Sequence, residues 1–117
     1  MNCLHPINTD TCCSYGMGEV VYEGTTPKYK LEIDAGIPMT DFDFKVQLIG
    51  TLGSTTIRKP SMPVDDEDNY YVCFDTVGLG IGKVKAIVTT EINDTDFPDN
   101  VRRDVYVIEN FIEIKKP

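Results

Sequence analysis

Phe42-Asp-Phe-Lys-Val-Gln-Leu48 decides the fold. Apolar and polar residues alternate without a break, so an extended backbone puts Phe42, Phe44, Val46 and Leu48 on one face and Asp43, Lys45 and Gln47 on the other. A helix would scatter the same four apolar side chains around its circumference, leaving no face able to bury. Lys28-Tyr-Lys-Leu-Glu-Ile33 repeats the pattern, with Tyr29, Leu31 and Ile33 inward. Outward from these two segments, Glu19–Glu23, Ser54–Arg58, Tyr70–Asp75, Lys83–Ile92, Arg103–Glu109 and a short Phe111–Lys115 are strand candidates, rich in β-branched and aromatic residues. No window offers a helical stripe.

Turn residues separate these segments at intervals of roughly 10–20 residues, as an antiparallel sandwich requires. They fall at Gly24–Pro27, Gly36–Pro38, Gly50–Gly53, Pro60–Asn69, Gly78–Gly82 and Asn93–Asn100. About seven strands in about a hundred residues predict an all-β, immunoglobulin-like antiparallel sandwich over residues 19–117, with a small open barrel as the alternative. Residues 1–18 are polar and broken by Pro6, Asn8, Asp10 and Ser14, and are expected to form an extended N-terminal arm. The arm lacks the basic and apolar regions of a signal peptide.

A chain of 117 residues has room for one core. Its 19 acidic and 11 basic residues give a net charge of −8, which disfavours nucleic acid and anionic membranes because both select a cationic face. The longest apolar run, Tyr70–Phe74, is far shorter than the roughly 20 residues that span a bilayer. Three of the four cysteines crowd into the arm and one sits in a later apolar run. That distribution favours reduced thiols and synthesis in a cytoplasm over a secreted disulfide scaffold.

Each motif with chemical potential has a plainer reading. Cys3, His5, Cys12 and Cys13 are zinc-compatible donors, but adjacent cysteines suit one tetrahedral ion poorly. Small buried hydrophobes or incidental thiols are the simpler roles. Cys73 lies between Val72 and Phe74 and is expected in the core or the sheet packing. Gly78-Leu-Gly-Ile-Gly-Lys83 lacks the upstream glycine and the following Ser/Thr of a phosphate loop, and its glycines suit a tight corner with positive φ. Asp65-Asp-Glu-Asp-Asn69 and Asp94–Asn100 are calcium-compatible in charge, yet neither matches an EF-hand: Pro98 takes the fifth position of the second. Arg102 and Arg103 lie close enough in sequence to Asp94, Asp96 and Asp99 for a local charge network. Phe97 either plugs the open end of the sandwich or anchors a neighbour. There is no nucleophile–base pair and no cofactor fingerprint, so the expectation is a non-enzymatic protein without a cofactor.

The run from Asp75 to Val107 carries a resemblance to a family. Its Leu-Gly-x-Gly corner (Leu79–Gly82) and its Asp-x-Asp-Phe-Pro-Asp-x-x-Arg loop (Asp94–Arg102) resemble a β-sandwich module of virion proteins in crAss-like and related tailed bacteriophages of Bacteroidales, including head-fibre and capsid-associated components. The resemblance extends over residues 28–114. In that family a Gly often stands where this chain has Asn100, which also tolerates left-handed geometry. The resemblance implies a structural accessory component of a virion, a capsid-decorating or head-fibre-base protein. Such a protein is made in the host cytoplasm, docks on other virion proteins and is oligomeric within the particle. The residues expected to dock are Cys3, Leu4, Ile7, Cys12, Cys13, Tyr15 and Met17, with Phe97 as a further contact. The alternative is a tail-associated or glycan-binding adhesin module, for which Tyr15, Tyr22, Tyr70 and Tyr71 are the available aromatics.

Overall fold

A computed structural model describes the backbone of residues 3–6 and, with side chains, residues 19–117. The strands are β1 (Cys3–Pro6), β2 (Glu19–Tyr22), β3 (Lys28–Glu32), β4 (Asp43–Ile49), β5 (Ser54–Arg58), β6 (Tyr70–Cys73), β7 (Gly82–Asn93) and β8 (Val101–Lys115). Single 3-10 turns precede β4 (Met39–Asp41) and follow β5 (Lys59–Ser61), and the described residues contain no α-helix. The strands form two packed sheets, one ordered β1-β3-β6 and the other β2-β8-β7-β4-β5. Every pairing is antiparallel except β2 with β8.

The alternation in the sequence becomes the core directly. Tyr29, Leu31 and Ile33 from one sheet, and Phe42, Phe44, Val46 and Leu48 from the other, are all buried, as their parity demands. Val84, Ala86, Val88, Ile112 and Ile114 complete the interior from β7 and β8. Two aromatic groups tie the layers together. Tyr29 meets Phe111 edge-on at 4.9 Å between ring centroids and stacks on Phe74 at 6.1 Å, while Phe44 meets Tyr70 edge-on at 5.1 Å. Thr76, fully buried, accepts a hydrogen bond from Gly24 N (3.0 Å) and donates one to Thr25 O (2.8 Å). It thereby joins the β2–β3 turn to the link between β6 and β7, and leaves none of the three polar groups unpaired.

The glycine corner is structural, as its sequence suggests. Gly80 and Gly82 have φ of 86° and 123°, a region other residues enter only under strain. The corner sits against the β4–β5 hairpin, where Leu52 N donates to Leu79 O (3.0 Å) and Thr51 Oγ1 to Ile81 O (2.7 Å). A Cβ at Gly50 would collide with the Leu79 carbonyl, so this interlock depends on glycine.

Three expectations need correction or extension. Cys73 is exposed, because Val72 and Phe74 take the inward parity of β6 and the residue between them must face solvent. Arg103–Glu109 and Phe111–Lys115 belong to one strand. A register shift aligns Val84 with Ile112 but Ala86 with Ile108, so β8 carries extra residues that break its alternation without ending its pairing with β7. Within the segment expected as an arm, Cys3–Pro6 forms β1, antiparallel to β3 with Cys3 opposite Glu32 and Pro6 opposite Tyr29.

Candidate functional site

The feature that stands apart from the closed core is the first half of β8. β7 pairs with β8 along its length, from Val101 opposite Asn93 to Ile114 opposite Gly82. On the other side β2 covers Ile112–Lys115 alone. Among the described residues, no strand pairs with the outer edge of residues 101–111, so a row of backbone donors and acceptors is left open there. Val105, Tyr106 and Val107 sit in the middle of that edge and are 60%, 39% and 49% exposed. Val105 and Val107 lie opposite Thr89 and Ile87 on the outer face of the sheet. Tyr106 shares the inward parity of its partner Val88, which is buried, yet remains half-open to solvent. Three consecutive exposed apolar side chains on an open strand edge form a surface suited to another strand.

The turn that launches β8 is closed by its own side chains. Asp94 N bonds to Asn100 O (2.9 Å), Asn100 N to Phe97 O (2.9 Å), and Asp96 N to the Asp94 carboxylate (3.0 Å). Asn100 takes φ 61°, the left-handed geometry that asparagine tolerates. Arg103 donates to Asp99 (3.0 Å) and lies 3.9 Å from Glu91, while Arg102 lies 3.4 Å from Asp104 and 3.9 Å from Asp94. The hydrogen bond from Arg103, and then that from Val101 N, holds the Asp99 carboxyl below the usual carboxylate range. These pairs are largely exposed, so they set the shape of the turn more than its stability. The expected charge network thus forms with Asp94 and Asp99, whereas the Asp96 backbone caps the turn. Phe97 is 42% exposed at the tip and does not plug the sandwich.

The second acidic loop is also self-satisfied. The Asp65 carboxylate accepts hydrogen bonds from Glu67 N (2.9 Å), Asn69 N (3.0 Å), Asn69 Nδ2 (3.0 Å) and the Tyr71 hydroxyl (2.9 Å). The two bonds from Asn69 lead in holding its carboxyl well below the usual carboxylate range, and the hydrogen bond that Tyr71 donates to Asp65 pushes the Tyr71 hydroxyl up. No group of three or more His, Cys, Asp or Glu side chains able to hold a metal ion occurs among the described residues. A shallow depression of about 380 Å³ beside Asp41, Asp43 and Glu91 contains Lys59, whose ammonium donates to the carbonyls of Met39 (2.9 Å), Thr40 (3.1 Å) and Phe42 (2.6 Å). That lysine serves to tie down the turn before β4.

Of the residues expected to dock, Cys3 and Leu4 lie on β1, opposite Glu32 and Leu31. Ile7, Cys12, Cys13, Tyr15 and Met17 lie outside the described residues, as do the thiols and imidazole of the zinc reading. Of the aromatics of the glycan reading, the described ones do not form a cluster: Tyr70 is buried in the core, Tyr71 is bonded to Asp65 and Tyr22 is exposed on β2. Sequence reasoning missed the Val105–Val107 edge. Its signal was Val105-Tyr-Val-Ile108, where alternation gives way to a continuous apolar run. None of the described helical turns is long and apolar enough to cross a membrane, which leaves strand-spanning proteins unaddressed. No family model, curated protein or solved structure matches this chain.

Proposed function

We propose that the chain is an immunoglobulin-like structural module of a tailed-bacteriophage virion, a capsid-decorating or head-fibre-base protein that docks on a neighbouring subunit through the open edge of β8. The immunoglobulin-like reading is supported by strand order. β3 and β6 share a sheet, β4, β7 and β8 form the other, and β5 extends the second as the added strands of variable-type domains do. The phage reading is supported by the resemblance carried by Leu79–Gly82 and Asp94–Arg102.

The observation that carries docking is the uncovered edge at Val105–Val107. A strand laid along it would satisfy backbone groups and cover two valines and a tyrosine in one step, a mode that needs no catalytic group. The surplus of negative charge keeps the free protein soluble and favours a less acidic neighbour.

The test is quantitative mass spectrometry of purified particles after infection with phage encoding either the natural chain or Val105→Lys/Val107→Lys. The natural chain is expected in the particle, and the variant is expected to fall about tenfold or more. Absence of the natural chain would overturn the virion reading. Equal incorporation of the variant would overturn docking through β8.

A further inference from the structure

We propose that the strand occupying the open edge of β8 is β8 of a second copy, paired antiparallel about a two-fold axis centred on Tyr106. This rests on the reading of the β8 edge as a docking surface, but not on the phage assignment.

Register and charge select this partner. A two-fold axis perpendicular to a sheet keeps each residue on its own face. Residues directly opposite in an antiparallel pair share a face, so the axis must pass at a residue position. Centring on Arg103 would set that arginine against itself, and centring on Asp104 would set that carboxylate against itself; like charges directly opposite are destabilising. Centring on Val105 faces the Arg103 charge with Val107, centring on Val107 faces the Glu109 charge with Val105, and neither pairs opposite charges. Centring on Tyr106 sets Val105 against Val107 twice, Tyr106 against Tyr106, Asp104 against Ile108 twice, and exposed Arg103 against exposed Glu109 twice. Apolar side chains then meet in the middle and opposite charges meet at both ends, where Glu109 opens the irregular stretch of β8.

The boundaries agree with this register. β2 begins its coverage at Ile112, so the paired strip from Arg103 to Glu109 ends before it. The outer face is already formed on the β7 side by Ile87 and Thr89, so the two valines of each copy extend an existing surface. The product is one continuous sheet running β5-β4-β7-β8 and then β8-β7-β4-β5 of the second copy. A seven-residue strip is small for an interface, so association is reversible and depends on concentration.

The test is sedimentation velocity of the full chain across micromolar to millimolar concentrations, with melting curves as the control for folding. The natural chain is expected to move from monomer to dimer as concentration rises. Val105→Lys/Val107→Lys is expected to remain monomeric at an unchanged melting temperature. Glu109→Arg places like charges together and should weaken the dimer, whereas Glu109→Gln, which removes the attraction without adding a repulsion, should weaken it less. If the lysine variant fails to fold, Glu109→Arg at its exposed position carries the test. A monomer at every concentration overturns the proposal, as does a dimer indifferent to the lysines or to Glu109→Arg. Hydrogen exchange supplies a further arm: a monomer whose amides at 103–109 are nonetheless protected assigns the edge to residues 7–18 of the same chain and overturns self-pairing. Loss of self-pairing alongside particle incorporation that still depends on Val105 and Val107 would leave the docking role standing with a different partner.

Discussion

β8 has two halves with the same parent sequence chemistry and opposite surroundings. From Ile112 to Ile114 it is flanked by β7 and joined by β2, with Phe111 just before it packed against Tyr29, and Ile112 and Ile114 lose all contact with water. From Val101 to Val107 β7 is its one partner among the described residues, and Val105 there is 60% exposed. Hydrophobicity does not separate the halves, since both are built of Val, Ile and aromatic residues. What separates them is the face each side chain takes and, among the described residues, whether a second strand arrives: Ile112 and Ile114 face the core beside β2, whereas Val105 and Val107 lie on the outer face. The lesson is that an apolar strand reports a demand for cover, and the neighbouring chain decides whether that demand is met within the molecule.

The sharpest way to break the comparison is to damage the covered half. Ile112→Ala should cost about 2–5 kcal/mol of unfolding free energy, read by urea denaturation, because its surroundings close on it from every side. Thr76→Val comes next. It strands Gly24 N–H beside the end of β2 and leaves the Thr25 carbonyl with the bond from residue 76 N (3.3 Å) alone, and should cost about 1–3 kcal/mol in the same assay. Tyr29→Phe removes the hydrogen bond donated to Glu19 on β2 (2.8 Å) while keeping the ring on Phe111, and should cost about 1 kcal/mol.

Tyr29 also gives a sign in pH. Burial, then the bond to Glu19, raises its hydroxyl pKa well above the ordinary tyrosine value. Its contribution is therefore complete below about pH 10 and declines as pH rises toward the folded-state value, so Tyr29→Phe should flatten the alkaline limb of a stability–pH profile. Asp65 has the opposite sign. Its carboxyl is depressed, so its contribution is present above about pH 4 and is lost as pH falls toward the folded-state value; Asp65→Asn should flatten the acid limb. The smallest effect belongs to the open half. Val105→Thr/Val107→Thr should leave unfolding free energy within about 0.5 kcal/mol, because little apolar surface is buried there to lose.

Much of the covered half was legible in the sequence. Period-two alternation placed Tyr29, Leu31, Phe44, Val46 and Leu48 in the core, because a strand with one wet face has no other way to bury them. The same rule, applied strictly, places Cys73 outside, which the apolar character of its neighbours obscured. β8 was legible only in pieces, since the irregularity around Glu109–Phe111 interrupts the period that identifies a strand. The open edge was legible only as the continuous apolar run Val105–Ile108: among the described residues no strand pairs with the outer edge of 101–111 because β2 is four residues long, and nothing in Val105-Tyr-Val107 encodes the length of that distant strand. Both acidic loops were visible as charge, but their hydrogen bonds are matters of turn geometry. Asp65 and Asp99 spend their carboxylates on nearby amides and on Asn69, Tyr71 and Arg103.

The parallel pairing of β2 with β8 has a mechanical consequence. β2 leads back toward the N-terminus and β8 runs forward to Lys115, two residues from the end of this chain. Tension applied through those two directions would slide β2 along β8 and load the hydrogen bonds of that ladder side by side. A hairpin pulled from its open end would instead yield one bond at a time. The four-residue contact that covers the end of β8 would then act as a clamp, with Thr76 and Tyr29 setting how firmly β2 is held when the termini are drawn apart.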